Sequence, residues 1–401
     1  MRAKGLVRRY AIVALRASLL LVVTVPLVAQ SVYYPPRGGW LHQSAVVLGV
    51  DQTGIDSAVA FAIANETRAP RDQAEAQLGS FGAHEPHAEI VGPMQERGDP
   101  SGLVIYRGGV IAEWGPVDRV DMTHSVTKTF LSSVLGVAVR DGRIGDVRDT
   151  VRGYMPRGVD LFEASHNRGI TWDDLLRQTS DWQGTLWDKP DWADRPSGPR
   201  EGWESRTLYT PGTHFKYNDV RVNVLALAAL EVLREPLPVV LRREVMDPIG
   251  ASSTWRWEGY DNSWVELDGL RMQSVSGGGH WGGGMFINAW DMARLGYLYL
   301  HDGHWQARQI IPESWIALAC APGPDNPGYG YMNWFLNSDR KMLPSAPASA
   351  VMFLGNGTNA VYVDQEHDLV IVVRWISGNR ELDGVIGRVL AALPQEVRSE
   401  K

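Results

Sequence analysis

The sequence predicts an α/β fold of the α+β type, with an antiparallel sheet built from both chain ends, flanked by helices, and a mainly helical region inserted between them. Three observations support this prediction. Residues 102–115 have the pattern of a pair of strands, and strand-like residues return at 360–364 and 369–375. The region between them, about 143–250, is mostly helical or loop-like. Such an order indicates one sheet with an inserted helical region, and the cleft between the two parts is the expected active site.

The early strands are predicted to form a hairpin. β-Branched and aromatic residues are frequent at positions 103–106 and 110–114, and Arg107, Gly108 and Gly109 stand between them as a turn.

The helices are predicted from the spacing of apolar residues. Apolar side chains dominate residues 127–140, which end at the stop signal Asp141-Gly142, so a buried helix is expected there. The other predicted helices are residues 55–66, 173–177, 222–233 and 382–393.

Composition excludes several classes of function. The chain has 401 residues, a net charge of -7 and a pI near 5.8, so it offers no basic surface to hold a nucleic acid. A single cysteine, Cys320, excludes an internal disulfide framework and a cysteine-rich zinc site. The histidine pairs at 84/87 and 301/304 have no third ligand at a suitable spacing, so we expect neither metal nor cofactor.

The N-terminus indicates export. Four basic residues between positions 2 and 9 precede an apolar run over residues 17–29, which is the layout of a signal peptide. If this segment stays uncleaved, it would instead anchor the protein to a membrane. We therefore predict a signal peptide or anchor at 1–30, an extension with the first helix at 31–90, and a catalytic domain at 91–395 in the periplasm or outside the cell.

The main chemical signal is Ser125 followed by Lys128 at the start of the predicted buried helix. Residues three apart share a helix face, so the amine can lie against the hydroxyl. A neutral serine is a weak nucleophile that needs an adjacent base, and the N-H groups of a helix N-terminus favour developing negative charge. The pattern Ser-x-x-Lys also occurs at Ser338 to Lys341, but in a polar stretch with no apolar helix behind it, so we interpret that match as accidental.

Two further elements could complete such a site. Tyr217 lies in a loop directly before an apolar helix, where its phenol could carry a proton to a leaving group, although Asn and Asp at such a place can also be simple caps. Gly355 and Asn356 precede the strand at 360, where a backbone amide could form an oxyanion hole with the amide of Ser125. A plain glycine turn is the alternative for this second element.

Together these elements resemble the serine β-lactamase and penicillin-binding family, in particular its class C-like branch of esterases, D-amino-acid peptidases and 6-aminohexanoate-dimer hydrolases. The resemblance extends from about residue 92 to 375 and includes the glycine-rich segment 277–284. It implies that Ser125 is the nucleophile, that Lys128 and Tyr217 are the acid/base pair, and that Asn356 supplies the second oxyanion amide. His280 and Trp281, in the glycine-rich segment, are expected to border the substrate unless that segment is only a turn.

Two departures from the family pattern bear on the substrate. The Tyr-x-Asn motif is here Tyr217-Asn218-Asp219, which makes Asp219 a further expected substrate contact. The Lys-Thr-Gly or His-Thr-Gly strand motif is replaced by Phe353-Leu354-Gly355, so the cation that grips the carboxylate of a β-lactam is lost. We therefore expect a small ester, amide or peptide-like substrate rather than penicillin.

The predicted function is a serine hydrolase with an acyl-enzyme on Ser125. The alternatives are a non-catalytic or slowly acylating penicillin-binding sensor domain, and a D-Ala peptidase or β-lactamase. The natural substrate and the oligomeric state are left open by the sequence.

Overall fold

A six-stranded antiparallel sheet lies at the centre of the computed structural model, which describes residues 32–394. Its order is β11 (Trp334–Leu336), β12 (Val351–Gly355), β13 (Asn359–Asp364), β14 (Leu369–Arg374), β1 (Ser101–Tyr106) and β2 (Gly109–Trp114). Strand β1 pairs with β14 from Ser101 opposite Arg374 to Tyr106 opposite Leu369. The predicted α+β fold, with a sheet made from both chain ends, is confirmed. The strands are β1 (Ser101–Tyr106), β2 (Gly109–Trp114), β3 (Asp121–Met122), β4 (Thr185–Leu186), β5 (Lys189–Pro190), β6 (Arg256–Leu267), β7 (Leu270–Val275), β8 (Gly284–Ile287), β9 (His304–Trp305), β10 (Arg308–Gln309), β11 (Trp334–Leu336), β12 (Val351–Gly355), β13 (Asn359–Asp364) and β14 (Leu369–Arg374).

The central strands are covered by helices on both faces. Every residue of β1, β13 and β14 is buried, which explains why β14 is a continuous run of Leu, Val and Ile rather than an alternating pattern. On one face, α1 (Gln52–Ala64) and α9 (Asn379–Ala392) pack together against the sheet. On the other face, α7 (Ala289–Leu300) packs on β1, β13 and β14. The helices are α1 (Gln52–Ala64), α2 (Gln73–Gly79), α3 (Thr127–Arg140), α4 (Trp172–Leu176), α5 (Asp219–Leu233), α6 (Leu237–Leu241), α7 (Ala289–Leu300), α8 (Glu313–Ala319) and α9 (Asn379–Ala392).

Helix α3 has the bounds predicted from the sequence. Its residues from Thr127 to Ala138 are all buried, including Lys128, so this helix passes through the interior and presents its N-terminus to the site. The predicted hairpin is also confirmed, with Arg107 and Gly108 forming the turn between β1 and β2.

A second sheet was missed by the sequence patterns. It has four strands in the order β3-β8-β6-β7, and its long strand β6 contains the run Asp261-Asn262, which is typical of turns. The register of β6 against β7 shifts between Gly259 and Trp264, so an irregularity absorbs these polar residues without ending the strand.

The described residues from Tyr34 onward form one compact unit. The predicted export segment at residues 1–30 lies outside the described residues. Among residues 32–394, no helix has both the length and the apolar character needed to cross a membrane.

Candidate active site

Ser125 lies in a short 3-10 turn, His124–Val126, immediately before α3. The turn is tight, because His124 has φ +47, in the left-handed region that non-glycine residues rarely adopt. The side chain of His124 is buried and bonded to Gln73 of α2 (Nε2 to Oε1, 2.9 Å), which holds the turn in place. Ser125 is thereby partly exposed on the wall of a cleft of about 700 Å³.

Lys128 is completely buried beside Ser125. Its Nζ lies 2.8 Å from Ser125 Oγ, 3.1 Å from the carbonyl oxygen of Gly277 and 2.8 Å from Asp219 Oδ1. An ammonium group has three N-H donors, and three oxygen atoms surround this one. The predicted proximity of amine and hydroxyl is therefore present in the structure, with an additional carboxylate that the sequence reasoning did not place there.

Tyr217 lines the same cleft, just before α5. The helix begins here because the side chain of Asn218 caps it, accepting the amide of Arg221 at 3.1 Å. Burial raises the pKa of the Tyr217 phenol well above its usual value, although a hydrogen bond with Ser125 acts in the opposite direction. The phenol therefore stays protonated at neutral pH and can donate its proton.

The end of β12 lies directly against the turn that holds Ser125. A Cβ atom on Gly355 would lie 2.2 Å from the carbonyl oxygen of Thr123 and 3.1 Å from the amide nitrogen of Ser125, so only glycine fits there. Asn356, the next residue, is exposed and lines the cleft, with its Oδ1 accepting the amide of Gly357 at 2.9 Å. Backbone of both residues thus borders the space in front of Ser125.

Behind Lys128 lies a buried group of charged side chains around Asp219. Asp219 Oδ2 accepts from Arg195 Nη1 at 3.0 Å and lies 3.2 Å from His280 Nδ1. Asp194 bonds to the same Nη1 at 2.5 Å and also accepts the backbone amide of Asp219. The guanidinium of Arg195 reaches the cleft, where it lies over the ring of Tyr217, 5.0 Å from its centroid.

The charged side chains of this group shift one another's pKa values. Burial opposes the ionised form of Asp219, but the positive charges of Lys128, Arg195 and His280 outweigh it and hold the pKa of Asp219 well below its usual value. Burial also lowers the pKa of His280, but the carboxylates of Asp219 and Glu85 outweigh that effect and raise it to about 9. Both groups are therefore charged at neutral pH.

One cluster among the described residues, Glu85, Asp194 and His280, is close enough to be considered as a metal site. Both ring nitrogens of His280 face carboxylate oxygens, Nδ1 towards Asp219 at 3.2 Å and Nε2 towards Glu85 at 2.8 Å. An imidazole with a raised pKa holds a proton on each nitrogen at neutral pH and is positively charged. These contacts describe a histidine that is ion-paired with a carboxylate on each side.

Three residues predicted to contact the substrate lie elsewhere. Asp219, His280 and Trp281 are buried and do not line the cleft. The glycine-rich segment that contains His280 packs under the Ser125 turn: Gly278 has φ +75, and a Cβ there would lie 2.1 Å from the carbonyl oxygen of His124. The segment packs closely behind Lys128, and a substrate contact for these three residues stays a prediction.

Several residues of the site were not found from the sequence. Arg195 reaches the cleft from an irregular loop, and Phe81 and Trp375 form aromatic parts of its wall. Glu85 reaches His280 from the segment after α2. None belongs to a spaced motif, and only the unusual pairing of Asp194 with Arg195 before the Tyr217 loop could have drawn attention to this region.

The family model described as Beta-lactamase matches residues 94–388. Solved structures with the same fold include EstCE1, a hydrolase with promiscuous acyltransferase activity, which is 16% identical, with 84% of this chain and 98% of that chain covered and a TM-score of 0.55. A penicillin-binding protein homologue from Caulobacter crescentus is 14% identical, with coverage of 82% and 99% and a TM-score of 0.54. A β-lactamase from Mycobacterium bovis is 18% identical, with coverage of 79% and 98% and a TM-score of 0.50.

Proposed function

Because the chain belongs to the β-lactamase family and is a hydrolase of the serine β-lactamase superfamily, we propose that it cleaves an ester or amide bond of a small substrate through an acyl-enzyme on Ser125. The observation that supports this proposal is the contact of 2.8 Å between Lys128 Nζ and Ser125 Oγ on the wall of an open cleft that also exposes Tyr217.

Acylation begins when Ser125 Oγ attacks the carbonyl carbon of the substrate. The hydroxyl proton passes to the Lys128 amine, in its neutral form, as the new C-O bond forms. The negative charge that develops on the carbonyl oxygen is stabilised by backbone N-H groups at Ser125 and at the end of β12, and by the N-terminus of α3.

Collapse of the tetrahedral intermediate then requires a proton for the leaving group. Tyr217 donates its phenolic proton to the leaving oxygen or nitrogen and regains one from Lys128, whose ammonium lies 5.0 Å from the centre of the Tyr217 ring. In deacylation a water molecule takes the place of the leaving group, gives a proton to the same pair, and releases the acid as Ser125 is reprotonated.

The residues that replace the Lys-Thr-Gly or His-Thr-Gly strand motif favour an ester or amide over a β-lactam as substrate. In this chain the strand that borders the site reads Phe353-Leu354-Gly355, and neither Phe353 nor Leu354 can hold a carboxylate as a Lys or His would.

Export through residues 1–30 is part of the same proposal, and cell fractionation would test it.

The decisive experiment compares the wild-type protein with S125A. We expect turnover of p-nitrophenyl butyrate and covalent labelling by a fluorophosphonate probe, and we expect both to be lost in S125A. The matched control is S338A, because Ser338 belongs to the second Ser-x-x-Lys match but lies in an exposed turn, where Lys341 pairs with Asp339 instead. Turnover that persists in S125A would refute the proposal, and labelling without turnover would favour the sensor alternative.

A further inference from the structure

We propose that Asp219, His280 and Glu85 are positioning residues that control how readily Lys128 loses a proton, and that they thereby set the pH at which the enzyme becomes active. The inference rests on the proposed function, because it assigns a role to residues behind the Ser125–Lys128 pair.

The first step is the contact between the catalytic amine and Asp219. The two groups lie 2.8 Å apart, and both are almost fully buried. A general base must offer a lone pair. A carboxylate at this distance favours the protonated form of the amine, which has no lone pair. At the equivalent position the family motif has an amide, Asn, which would bond to the amine without adding a negative charge.

The second step is that Asp219 does not act on Lys128 alone. Its second oxygen contacts Arg195 at 3.0 Å and His280 at 3.2 Å, so two further positive charges compete with Lys128 for the same carboxylate. These cations weaken the electrostatic attraction between Asp219 and the amine of Lys128. His280 is the adjustable one, because an arginine stays charged at all working pH values.

The third step links His280 to a part of the chain outside the family match, which begins at residue 94. Glu85 Oε2 lies 2.8 Å from His280 Nε2, and Phe81 stacks on the imidazole with centroids 4.7 Å apart. Glu85 also accepts the backbone amide of Arg195 at 3.1 Å. The segment that follows α2 thus keeps His280 charged and in place against Asp219.

The group as a whole contains three basic and three acidic side chains: Lys128, Arg195 and His280 against Asp219, Asp194 and Glu85. The other titratable groups that act on Asp219 or are acted on by it are Tyr217, Tyr260 and His124. Burial raises the pKa of both tyrosines and lowers the pKa of His124 to about 4, so these three groups are neutral at pH 7. Removing one member of the six therefore leaves an unbalanced charge near the amine of Lys128.

Two substitutions test the proposal because they should act in opposite directions. D219N removes a negative charge next to Lys128, so the acid limb of the kcat/KM profile should move to lower pH by roughly one to three units. H280Q removes a positive charge that competes for Asp219, so the same limb should move to higher pH. E85Q should move it in the direction of H280Q but less far, since Glu85 reaches Lys128 only through His280 and Asp219.

The measurement is the pH dependence of kcat/KM for p-nitrophenyl butyrate, with thermal unfolding to confirm that each variant is folded. A purely structural role would lower kcat without moving the limb. An unmoved limb in D219N, or equal shifts in D219N and H280Q, would overturn the proposal. If H280Q fails to fold, D219N and E85Q still decide the question by the size and sign of their shifts. Turnover that survives in S125A would instead overturn the proposed function itself.

Discussion

Replacing Gly355 by alanine tests how the end of β12 takes part in catalysis. The new Cβ would lie 2.2 Å from the carbonyl oxygen of Thr123, where ordinary contacts begin at 3.4 Å, so the strand end and the Ser125 turn must separate by about 1.2 Å. A displacement of about 1 Å in a catalytic group costs on the order of 100-fold in rate. Loss of one oxyanion donor costs about 10² to 10³ in kcat, or about 3–4 kcal/mol of transition-state stabilisation.

The expected result for G355A is thus a fall in kcat of about 100-fold or more, with a smaller change in KM. The assay is steady-state hydrolysis of p-nitrophenyl butyrate, together with the rate of fluorophosphonate labelling. Overpacking also costs about 1–3 kcal/mol of folding stability, which thermal unfolding measures separately. The matched control is G202A, because a Cβ on Gly202 meets no atom within 4 Å. A kcat for G355A within threefold of wild type would refute the role assigned to this strand end.

Three further predictions concern the residues around Ser125. K128M should lower kcat by about 10² to 10⁴ because it removes the proposed base, which steady-state kinetics will measure. It should also destabilise the fold by about 3–5 kcal/mol, measured by denaturant unfolding, because Asp219 keeps its buried charge but loses one of its cations. Y217F should lower kcat by about 10²-fold or more for an alkyl ester. The loss should be smaller for a p-nitrophenyl ester, because its leaving group needs no proton. Equal losses on both esters would contradict a proton-donor role. The raised pKa of His280, about 9 against an ordinary 6.5, contributes stability that is fully present below pH 6.5 and is lost as pH rises through 9. The melting temperature should therefore fall between these pH values, and the part of the fall that H280Q abolishes measures this contribution.

The sequence patterns were most reliable where the physical signal is local. The apolar spacing that ends at Asp141-Gly142 predicted α3 with its observed bounds, and the turn at Arg107-Gly108 predicted the first hairpin. Both signals arise from residues within one or two turns of each other, so no distant contact is needed to interpret them. The proximity of Ser125 and Lys128 was predictable for the same reason, since residues three positions apart on a helix share a face.

The walls of the cleft were not predictable in this way. Five tryptophans lie between positions 172 and 203, but none of them lines the cleft, and Trp172 and Trp182 belong to the core. The aromatic wall comes instead from Phe81 and Trp375, which lie almost three hundred positions apart in the chain. Aromatic composition indicates burial, whereas exposure to a cleft depends on which surfaces the fold leaves uncovered.

By itself, the sequence determined the fold class, the buried helix that begins next to Ser125 and the family, because each depends on local periodicity or on motifs in a given order. The tertiary structure decided what surrounds Lys128. It placed Asp219 against the amine rather than in the cleft, and it brought Glu85 and His280 together from positions far apart in the chain. The physical reason is that the charge state of a buried amine depends on every charge within a few ångströms, and only the folded chain determines which charges those are.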